Sequence, residues 1–348
     1  MASPQGDEGD VATGCHAVPA DAGLVSLAQQ ETAGPEPGLA RRGRYAPRVP
    51  GRSRPWRIPA RLKPYLFISP AVLLFVAFVA IPFVGIIALS FLQWDLLTPA
   101  KYAGTSNYRM LVHDPQVGRA LLNSFVFDIL TTTLHVCLGM ALAIAVTSVR
   151  SKAVRYWVRT AFVAPFLMSA GAVALMWSYI LSADTGPFNY YLRLIGLSPP
   201  NWLGSSTWAL PSLVGVDLWQ TLGFTFIIFL VGLQTIPSQL YEAAAIDGAG
   251  PFSRFRHITL PMLSPATLVV SVTAFIGAFE VFTWPYVLTS GGPGNATLTI
   301  MLYIYQVSFR NFQLGYGAAI SIVNVAALLI FVVGMLLLAR RWVHYERV

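Results

Sequence analysis

Four ionisable side chains stand within otherwise apolar stretches of the sequence, and they are the residues whose types could do chemistry. Asp128 and His135 share one stretch, Asp217 lies in a second and Glu280 in a third. An ionisable group that faces lipid at mid-depth costs about 3 kcal/mol, so each should face protein or a water-filled cavity. Asp128 and His135 are two helical turns apart and therefore share one face of a helix.

These groups admit three interpretations. Carboxylates accept hydrogen bonds from hydroxyl groups, so Asp128, Asp217 and Glu280 can line a polar translocation path. Asp128, His135 and Asp217 can alternatively form the proton relay of a transporter driven by a proton gradient. In the third interpretation, each group makes a structural hydrogen bond to a neighbouring helix. The sequence leaves these three open.

Glu280 is the strongest single candidate for the path, because two aromatic residues follow it. The faces of Trp284 and Tyr286 can stack on the apolar faces of pyranose rings while the carboxylate accepts hydrogen bonds from their hydroxyls. The alternative is that Trp284-Pro285-Tyr286 is an interfacial aromatic belt at a proline kink. The candidate path consists of Glu280, Trp284, Tyr286, Asp217 and Asp128.

No catalytic or metal-binding arrangement is visible in the sequence. A phosphate-binding GxxxxGK[ST] loop needs a glycine before its lysine, whereas the lysines here follow Leu, Ala and Ser. The five histidines are dispersed, without the spacing of metal ligands. We therefore expect no enzyme activity, no metal site and no bound cofactor in this chain.

The composition predicts an integral membrane protein. Apolar residues make up 55% of the chain, mean hydropathy is +0.60 and only 11% of the residues are charged, against about 25% in soluble domains. Six apolar stretches are long enough to cross a bilayer. They are predicted at Leu66–Leu92, Leu122–Thr147, Trp157–Leu181, Trp208–Leu233, Ser264–Thr289 and Tyr316–Ala339. The expected fold is all-α, with six transmembrane helices.

The positive charge sets the expected orientation. Of the 23 Lys and Arg residues, 18 fall on the side that holds both termini, so both termini and the loop 236–263 are expected in the cytoplasm. The net charge of +8 follows the ends of the spans, which argues against nucleic acid as a partner. Residues 1–63 are expected to form a disordered and then basic tail held by anionic membrane lipid, ahead of a membrane domain 64–348.

The segment 236–263 looks soluble although it lies between two apolar spans. Ser238 is a predicted helix N-cap, and good helix formers follow it up to Ile246. Asp247-Gly248 is a stop signal, because glycine accepts the positive φ that ends many helices. The residues predicted on one face of a second short helix are Phe252, Phe255 and Ile258. Composition alone leaves two interpretations: the segment is a self-packed amphipathic loop that lies on the lipid, or its apolar residues need a partner surface.

The same segment carries a motif. The string EAAAIDGAGPFSRFRHITLPML resembles, as EAAxxDGAxxxxxFxxIxLPxL, the signature loop of the membrane-spanning subunits of binding-protein-dependent ABC importers. The matching residues are Glu242, Ala243, Ala244, Asp247, Gly248, Ala249, Phe255, Ile258, Leu260 and Pro261. A second string, LTSGGPGNATLTIMLYIYQVSF from Leu288, is similar to the carbohydrate branch of these permeases, to which maltose, trehalose and glycerol-3-phosphate permeases belong. The resemblance covers the chain from about Leu66 to its C-terminus.

The resemblance implies the type I ABC importer permease fold, with cytoplasmic coupling helices between transmembrane helices 4 and 5. It implies a subunit of the bacterial inner membrane that takes up a sugar, a di- or oligosaccharide, delivered by an extracytoplasmic solute-binding protein. The other implied partners are a second homologous permease chain and a dimer of ATP-binding subunits, which themselves use ATP and Mg²⁺. The implied ATPase-coupling residues are Glu242, Ala243, Ala244, Asp247, Gly248, Ala249, Phe252 and Phe255. The alternatives are a glycerol-3-phosphate permease, a proton-coupled sugar transporter and a membrane scaffold.

Overall fold

The computed structural model describes residues 63–343. The predicted tail, residues 1–63, lies outside this range except for Lys63, and so do residues 344–348. The described chain is mostly helical and contains one short β-hairpin.

The elements follow the chain in order. Helix α1 comprises Lys63–Phe75, a π turn at Val76–Ala80 and Ile81–Ser90, and the antiparallel strands β1 (Leu92–Gln93) and β2 (Lys101–Tyr102) follow it. Next come α2 (Ser106–His113), α3 (Pro115–Ser148), α4 (Lys152–Val163) with a 3-10 turn (Ala164–Leu167), α5 (Ala170–Ile180), α6 (Pro187–Leu194) and α7 (Ala209–Gln234). They are followed by α8 (Ser238–Ile246), α9 (Pro251–Arg254, a π turn Phe255–Thr259, and Leu260–Met262) and α10 (Ser264–Phe279). A π turn (Pro285–Thr289), α11 (Ile300–Tyr305, with a π turn Gln306–Arg310) and α12 (Leu314–Ala339) complete the described chain.

Four helices are long and apolar enough to cross a bilayer, namely α1 from Pro64, α3, α7 and α12. Two further pairs of helices meet this test only together, and each pair is bent: α4 with α5 by 103°, and α9 with α10 by 64°. The described residues therefore contain four to six candidate spans. The four unbroken helices correspond to the predicted first, second, fourth and sixth spans.

The predicted third and fifth spans are not single straight helices. In Trp157–Leu181 the helix is interrupted between α4 and α5, where Pro165 lacks the N–H that a continuing α-helix needs. In Ser264–Thr289, α10 ends at Phe279, and helical structure resumes only just before the π turn Pro285–Thr289. Hydropathy does not distinguish a straight span from a broken one, so the sequence did not reveal these two interruptions.

Helices α3, α7 and α10 form the centre of the bundle, and small residues let their backbones approach closely. A Cβ added to Gly139 of α3 would lie 3.0 Å from the hydroxyl of Thr225 in α7. At Gly223 of α7 it would lie 2.0 Å from the carbonyl oxygen of Phe162 in α4. Membrane helices pack through such residues, because lipid gives helices no hydrophobic drive to associate. Gly223 thus fixes the end of α4 against the middle of α7.

Asp114 joins three helices at the N-terminal end of α3. It caps α3 and accepts hydrogen bonds from the hydroxyls of Tyr303 and Tyr316 at 2.5 and 2.7 Å. Burial alone would raise the pKa of Asp114, but these hydrogen bonds and those from the first turn of α3 outweigh it and hold the pKa below its ordinary value of 3.8. The ends of α3, α11 and α12 are thereby held together.

Candidate functional site

Polar side chains of α3 and α7 meet inside the bundle and line a cavity of about 210 Å³. Asp217, Thr221 and Thr225 follow one another at one-turn spacing on α7, and His135 faces them from α3. The cavity combines these groups with a stacked pair of phenylalanine rings whose centroids are 5.3 Å apart. The lining residues are His135, Phe166, Asp217, Thr221, Phe224, Thr225, Thr273, Ala274, Gly277 and Ala278.

Asp217 is the centre of these polar contacts. Its Oδ1 accepts a hydrogen bond from Trp284 Nε1 at 2.9 Å. Its Oδ2 lies 3.5 Å from His135 Nε2 and 3.4 Å from the hydroxyl oxygen of Thr221. Within residues 63–343, the contact of His135 with Asp217 is the single ion pair, and it is charged only when the imidazole is protonated. The polar cluster is the name used below for His135, Asp217, Thr221, Thr225 and Trp284.

Trp284 is a buried partner of Asp217 and does not present a free ring face. It is only 4% exposed and packs in an apolar cluster with Val281 and Leu288. Its indole N–H is used by Asp217. In this geometry Trp284 fixes the position of the Asp217 carboxylate from the loop that follows α10.

Glu280 and Tyr286 lie apart from the polar cluster. Glu280 is exposed and is the C-cap residue of α10, at the point where the predicted fifth span breaks. Tyr286 is half-buried and stacks on Phe282 with ring centroids 5.0 Å apart, and Tyr305 meets both rings at steep angles. The residues predicted for one continuous path therefore occupy separate environments.

Asp128 is fully buried on α3. Neither of its carboxyl oxygens has a hydrogen-bond partner among residues 63–343, and the same is true of the hydroxyls of Thr131 and Thr132 beside it. Thr132 and Asp217 are nevertheless close enough to act on this carboxyl group electrostatically. A buried carboxyl group without partners is costly, so stability alone does not account for its presence here.

The hydroxyl-bearing residues of the cavity were missed by reasoning from the sequence. Thr221 and Thr225 look like ordinary members of an apolar span, since a threonine can satisfy its own hydroxyl on the preceding turn of a helix. Both do bond to carbonyl oxygens of α7. The signal that could have found them is their spacing from Asp217, which puts all three on one helix face.

The segment 236–263 forms two short helices joined by a tight turn. Helix α8 ends at Ile246, and Gly248 has a φ of +75°, the left-handed conformation predicted for it. Arg254 Nε donates to the carbonyl oxygen of Ala249 at 2.8 Å and closes the turn. These contacts give the turn a defined shape.

The predicted N-cap of α8 is wrong by one residue. Pro237 is the N-cap, with extended backbone angles, and Ser238 is the first helical residue, whose hydroxyl caps nothing. The ring of Pro237 already holds the backbone that must enter the helix, so the serine side chain is not needed for that purpose.

The inner side of the segment is packed. Phe255 and Ile258 join Leu263 in an apolar cluster near the C-terminal end of α3. Phe252 does not join them and is 74% exposed, so its predicted shared face with Phe255 and Ile258 is wrong. The reason is that Phe252 lies in the first turn of α9, and the π turn that starts at Phe255 rotates the side chains that follow.

The outer side of the segment presents motif residues and large apolar side chains. Ile246 is 87% exposed, and Phe252 stands beyond the turn. Such exposed apolar groups outside the long spans are typical of a surface that a protein partner or lipid covers. Of the predicted coupling residues, Ala244, Ala249 and Phe255 are half-buried. The exposed face, as the term is used below, consists of Glu242, Ala243, Ile246, Asp247, Gly248 and Phe252.

An all-helical bundle with several apolar spans, a polar cavity between them and an exposed two-helix segment defines a membrane transport protein of the permease class. The family described as "Binding-protein-dependent transport system inner membrane component" matches residues 135–344. This chain belongs to that family. Its members are the membrane component of the transport system and not its ATPase.

Relatives are similar along most of their length. The probable ABC transporter permease protein YurN of Bacillus subtilis is 38% identical, over 76% of this chain and 91% of the relative. The arabinooligosaccharides transport system permease protein AraP of Bacillus subtilis is 35% identical, over 77% and 85%. The trehalose/maltose transport system permease protein MalF of Thermococcus litoralis is 34% identical, over 79% and 93%.

A solved structure shares the fold. It is the crystal structure of a bacterial ABC transporter involved in the import of the acidic polysaccharide alginate. One of its chains superposes on this chain with a TM-score of 0.72 at 26% identity, covering 81% of this chain and 97% of that chain. A second structure of an alginate transporter, in complex with a pentasaccharide-bound periplasmic protein, matches equally well.

Proposed function

We propose that this chain is a translocation subunit of an ATP-driven importer that takes up a sugar, a di- or oligosaccharide, delivered by an extracytoplasmic solute-binding protein. Family membership supports the transport role and the dependence on a binding protein. The relatives named for arabinooligosaccharides and for trehalose and maltose support a sugar as cargo. The subunit lies in the bacterial inner membrane with six spans, of which the third and fifth are broken.

The observation that carries the proposal is the exposed face of the segment 236–263. Ile246 and Phe252 are exposed on the side of the membrane that the distribution of Lys and Arg assigns to the cytoplasm. There the segment docks on a dimer of ATP-binding subunits, with Glu242 meeting a basic group. Coupling residues are Glu242, Ala243, Ala244, Asp247, Gly248, Ala249, Phe252 and Phe255. ATP and Mg²⁺ belong to that partner.

The substrate path runs past the polar cavity. Asp217 accepts hydroxyl hydrogen bonds there, Trp284 holds its carboxylate in place, and Asp128 supplies a second acceptor on α3. Glu280 and Tyr286 belong to a more exposed part of the path. The cavity lining contains no Lys or Arg, which favours a neutral sugar over a phosphate ester.

Transport proceeds by alternating access. A second homologous permease chain completes the cavity, and closure of the ATPase dimer moves the segment 236–263 and reopens the helices around the path. Residues 64–348 form the permease domain, and residues 1–63 form a cytoplasmic tail at the membrane surface.

The proposal is tested by sugar uptake into vesicles that hold the complete complex, with ATP inside and the solute-binding protein outside. Glu242→Arg should abolish ATP-dependent uptake while the chain stays in the membrane. Asp184→Arg is the matched control, because it makes the same change of charge at an exposed position on the predicted external side. It should leave uptake unchanged.

Two outcomes would contradict the proposal. Uptake that does not depend on ATP and stops when the proton gradient is dissipated would instead assign His135, Asp128 and Asp217 to a proton relay. Full uptake by Glu242→Arg would remove the segment 236–263 from the coupling interface.

A further inference from the structure

Helix α4 is amphipathic and lies at a steep angle to the helix that follows it. The bend between α4 with its 3-10 turn and α5 is 103°. On its outer side α4 exposes Tyr156 by 64% and Trp157 by 68%, with their rings in edge contact at 5.7 Å. Aromatic side chains with a polar tip favour the headgroup level of a bilayer. This end of α4 therefore suits the membrane–water interface.

The other side of α4 carries two arginines one turn apart. Arg155 and Arg159 are half-buried beside Val158, which packs against the apolar cluster near the C-terminal end of α3. Arg155 Nη2 donates to the carbonyl oxygen of Val149 at 2.9 Å. The Nε atoms of both arginines are buried and have no acceptor among residues 63–343. Each guanidinium group thus keeps a donor without a partner among these residues.

No carboxylate of the surrounding sequence serves these arginines. Residues 129–183 contain no Asp or Glu, and the described part of the chain forms no ion pair that involves an arginine. Arg150 and Lys152 add two further positive charges at the start of the helix. The acceptor that these groups call for is an anion supplied from outside this part of the chain.

We infer that Arg155 and Arg159 bind the phosphate of an anionic phospholipid on α4, about one helix diameter from Trp157. Arginine is suited to this role, because its planar fork binds a phosphate through two parallel hydrogen bonds. The depth of Arg159 among the spans favours a lipid over a soluble partner as the source of the anion. The far end of α4 abuts Gly223 in the middle of α7, and Arg159 is about 6 Å from that end.

Trp157 supplies the probe for the experiment. The complete complex is reconstituted in phosphatidylcholine nanodiscs that contain a fixed fraction of either brominated phosphatidylglycerol or brominated phosphatidylcholine. The emission difference between wild type and Trp157→Phe isolates the signal of this residue. Brominated phosphatidylglycerol should quench that signal about fivefold more than brominated phosphatidylcholine, the preference that one basic side chain near an anionic lipid confers.

The double variant Arg155→Gln/Arg159→Gln should bring the quenching ratio to about one. Arg340→Gln/Arg341→Gln, an equal loss of charge after α12, should leave the ratio at its wild-type value. If the glutamine pair does not insert, Arg155→Lys/Arg159→Lys keeps the charge without the fork and should give an intermediate ratio. A wild-type ratio near one would overturn the inference, as would an equal effect of the control pair. A preference that appears only after removal of the ATPase subunits would overturn it too, because the arginines would then serve an acidic face of that partner.

Discussion

The polar cluster and the exposed face depart from ordinary packing in opposite directions. The polar cluster places a carboxylate, an imidazole and two hydroxyls among helices whose other side chains are apolar. The exposed face places Ile246 and Phe252 outside the long spans, 87% and 74% exposed. The first region therefore keeps polar side chains among apolar ones, and the second leaves apolar side chains exposed.

The two regions also differ in how they are held. In the polar cluster every side chain has a partner, and Asp217 is fixed by a hydrogen bond from Trp284. On the exposed face Gly248 and the hydrogen bond from Arg254 to Ala249 give the backbone a defined shape, while the Ile246 and Phe252 side chains are largely exposed. A polar cluster with fixed side chains suits a small hydroxylated cargo. A surface with a fixed backbone and exposed apolar side chains suits a large protein partner. Substitutions should therefore act on stability in the first region and on assembly in the second.

The largest loss of stability is expected for Asp217→Leu. This substitution leaves the Trp284 N–H without its acceptor and removes the carboxylate that faces His135, and we expect a loss of about 2 kcal/mol in the free energy of unfolding. Asp217→Asn keeps an acceptor for Trp284 and should lose less than about 1 kcal/mol. Unfolding of the purified chain in mixed detergent measures both. Equal stability of the Leu variant and wild type would mean that the polar cluster carries no structural role.

The next largest effect is expected for Gly248→Val. The site is open, since an added Cβ would meet nothing within 4 Å, but a φ of +75° costs a branched side chain about 1 to 2 kcal/mol. The strain should open the turn between α8 and α9 and stop ATP-driven uptake at normal membrane levels. Gly248→Asn is the control, because asparagine tolerates this conformation, and it should retain most of the uptake. Uptake by the valine variant at the wild-type rate would show that the shape of the turn is unimportant.

Asp114 is a half-buried acid at the edge of the spans, where pH can act on it. Because its folded pKa lies below the ordinary 3.8, its charged form contributes stability that is present above pH 3.8 and lost as pH falls through the folded value. Asp114→Asn removes this contribution and should lower stability by about 1 kcal/mol at pH 7. The difference in melting temperature between wild type and Asp114→Asn should stay constant from pH 7 to pH 5 and shrink below pH 4. A difference that grows on acidification would reverse the sign of the linkage.

The sequence predicted the unbroken spans well because the hydropathy of a span is a sum over its residues. Four long apolar helices correspond to four predicted stretches, and the prediction needed only composition and length. The breaks between α4 and α5 and after Phe279 depend on local packing, and hydropathy does not report packing. The direction taken by α4 after its bend was for the same reason outside the reach of the sequence.

The site was predicted unevenly, and the reason is again physical. Gly248 was predicted with its conformation, because a positive φ is a local requirement that one residue type meets best. The role of Trp284 was not, because its contact with Asp217 joins residues 67 positions apart in the sequence. Residue type marked Asp217 and Trp284 as unusual within a span, but only the fold shows that Trp284 holds the Asp217 carboxylate in place.

The smallest effect on stability, and the sharpest difference between the two regions, is expected for Ile246→Ser/Phe252→Ser. Both side chains are exposed and pack against nothing that folding must preserve, so the free energy of unfolding of the isolated chain should change by less than about 0.5 kcal/mol. The same variant should fail to retain the ATP-binding subunits when the complex is purified, because the proposed function has those subunits cover these apolar groups. Leu97→Ser/Tyr102→Ser, at positions 86% and 81% exposed beside the β-hairpin, is the matched control and should retain them. If both double variants retained the subunits equally, the bare surface would have another partner. If Ile246→Ser/Phe252→Ser instead destabilised the isolated chain, its side chains would be covered within the chain itself, and the contrast with the polar cluster would disappear.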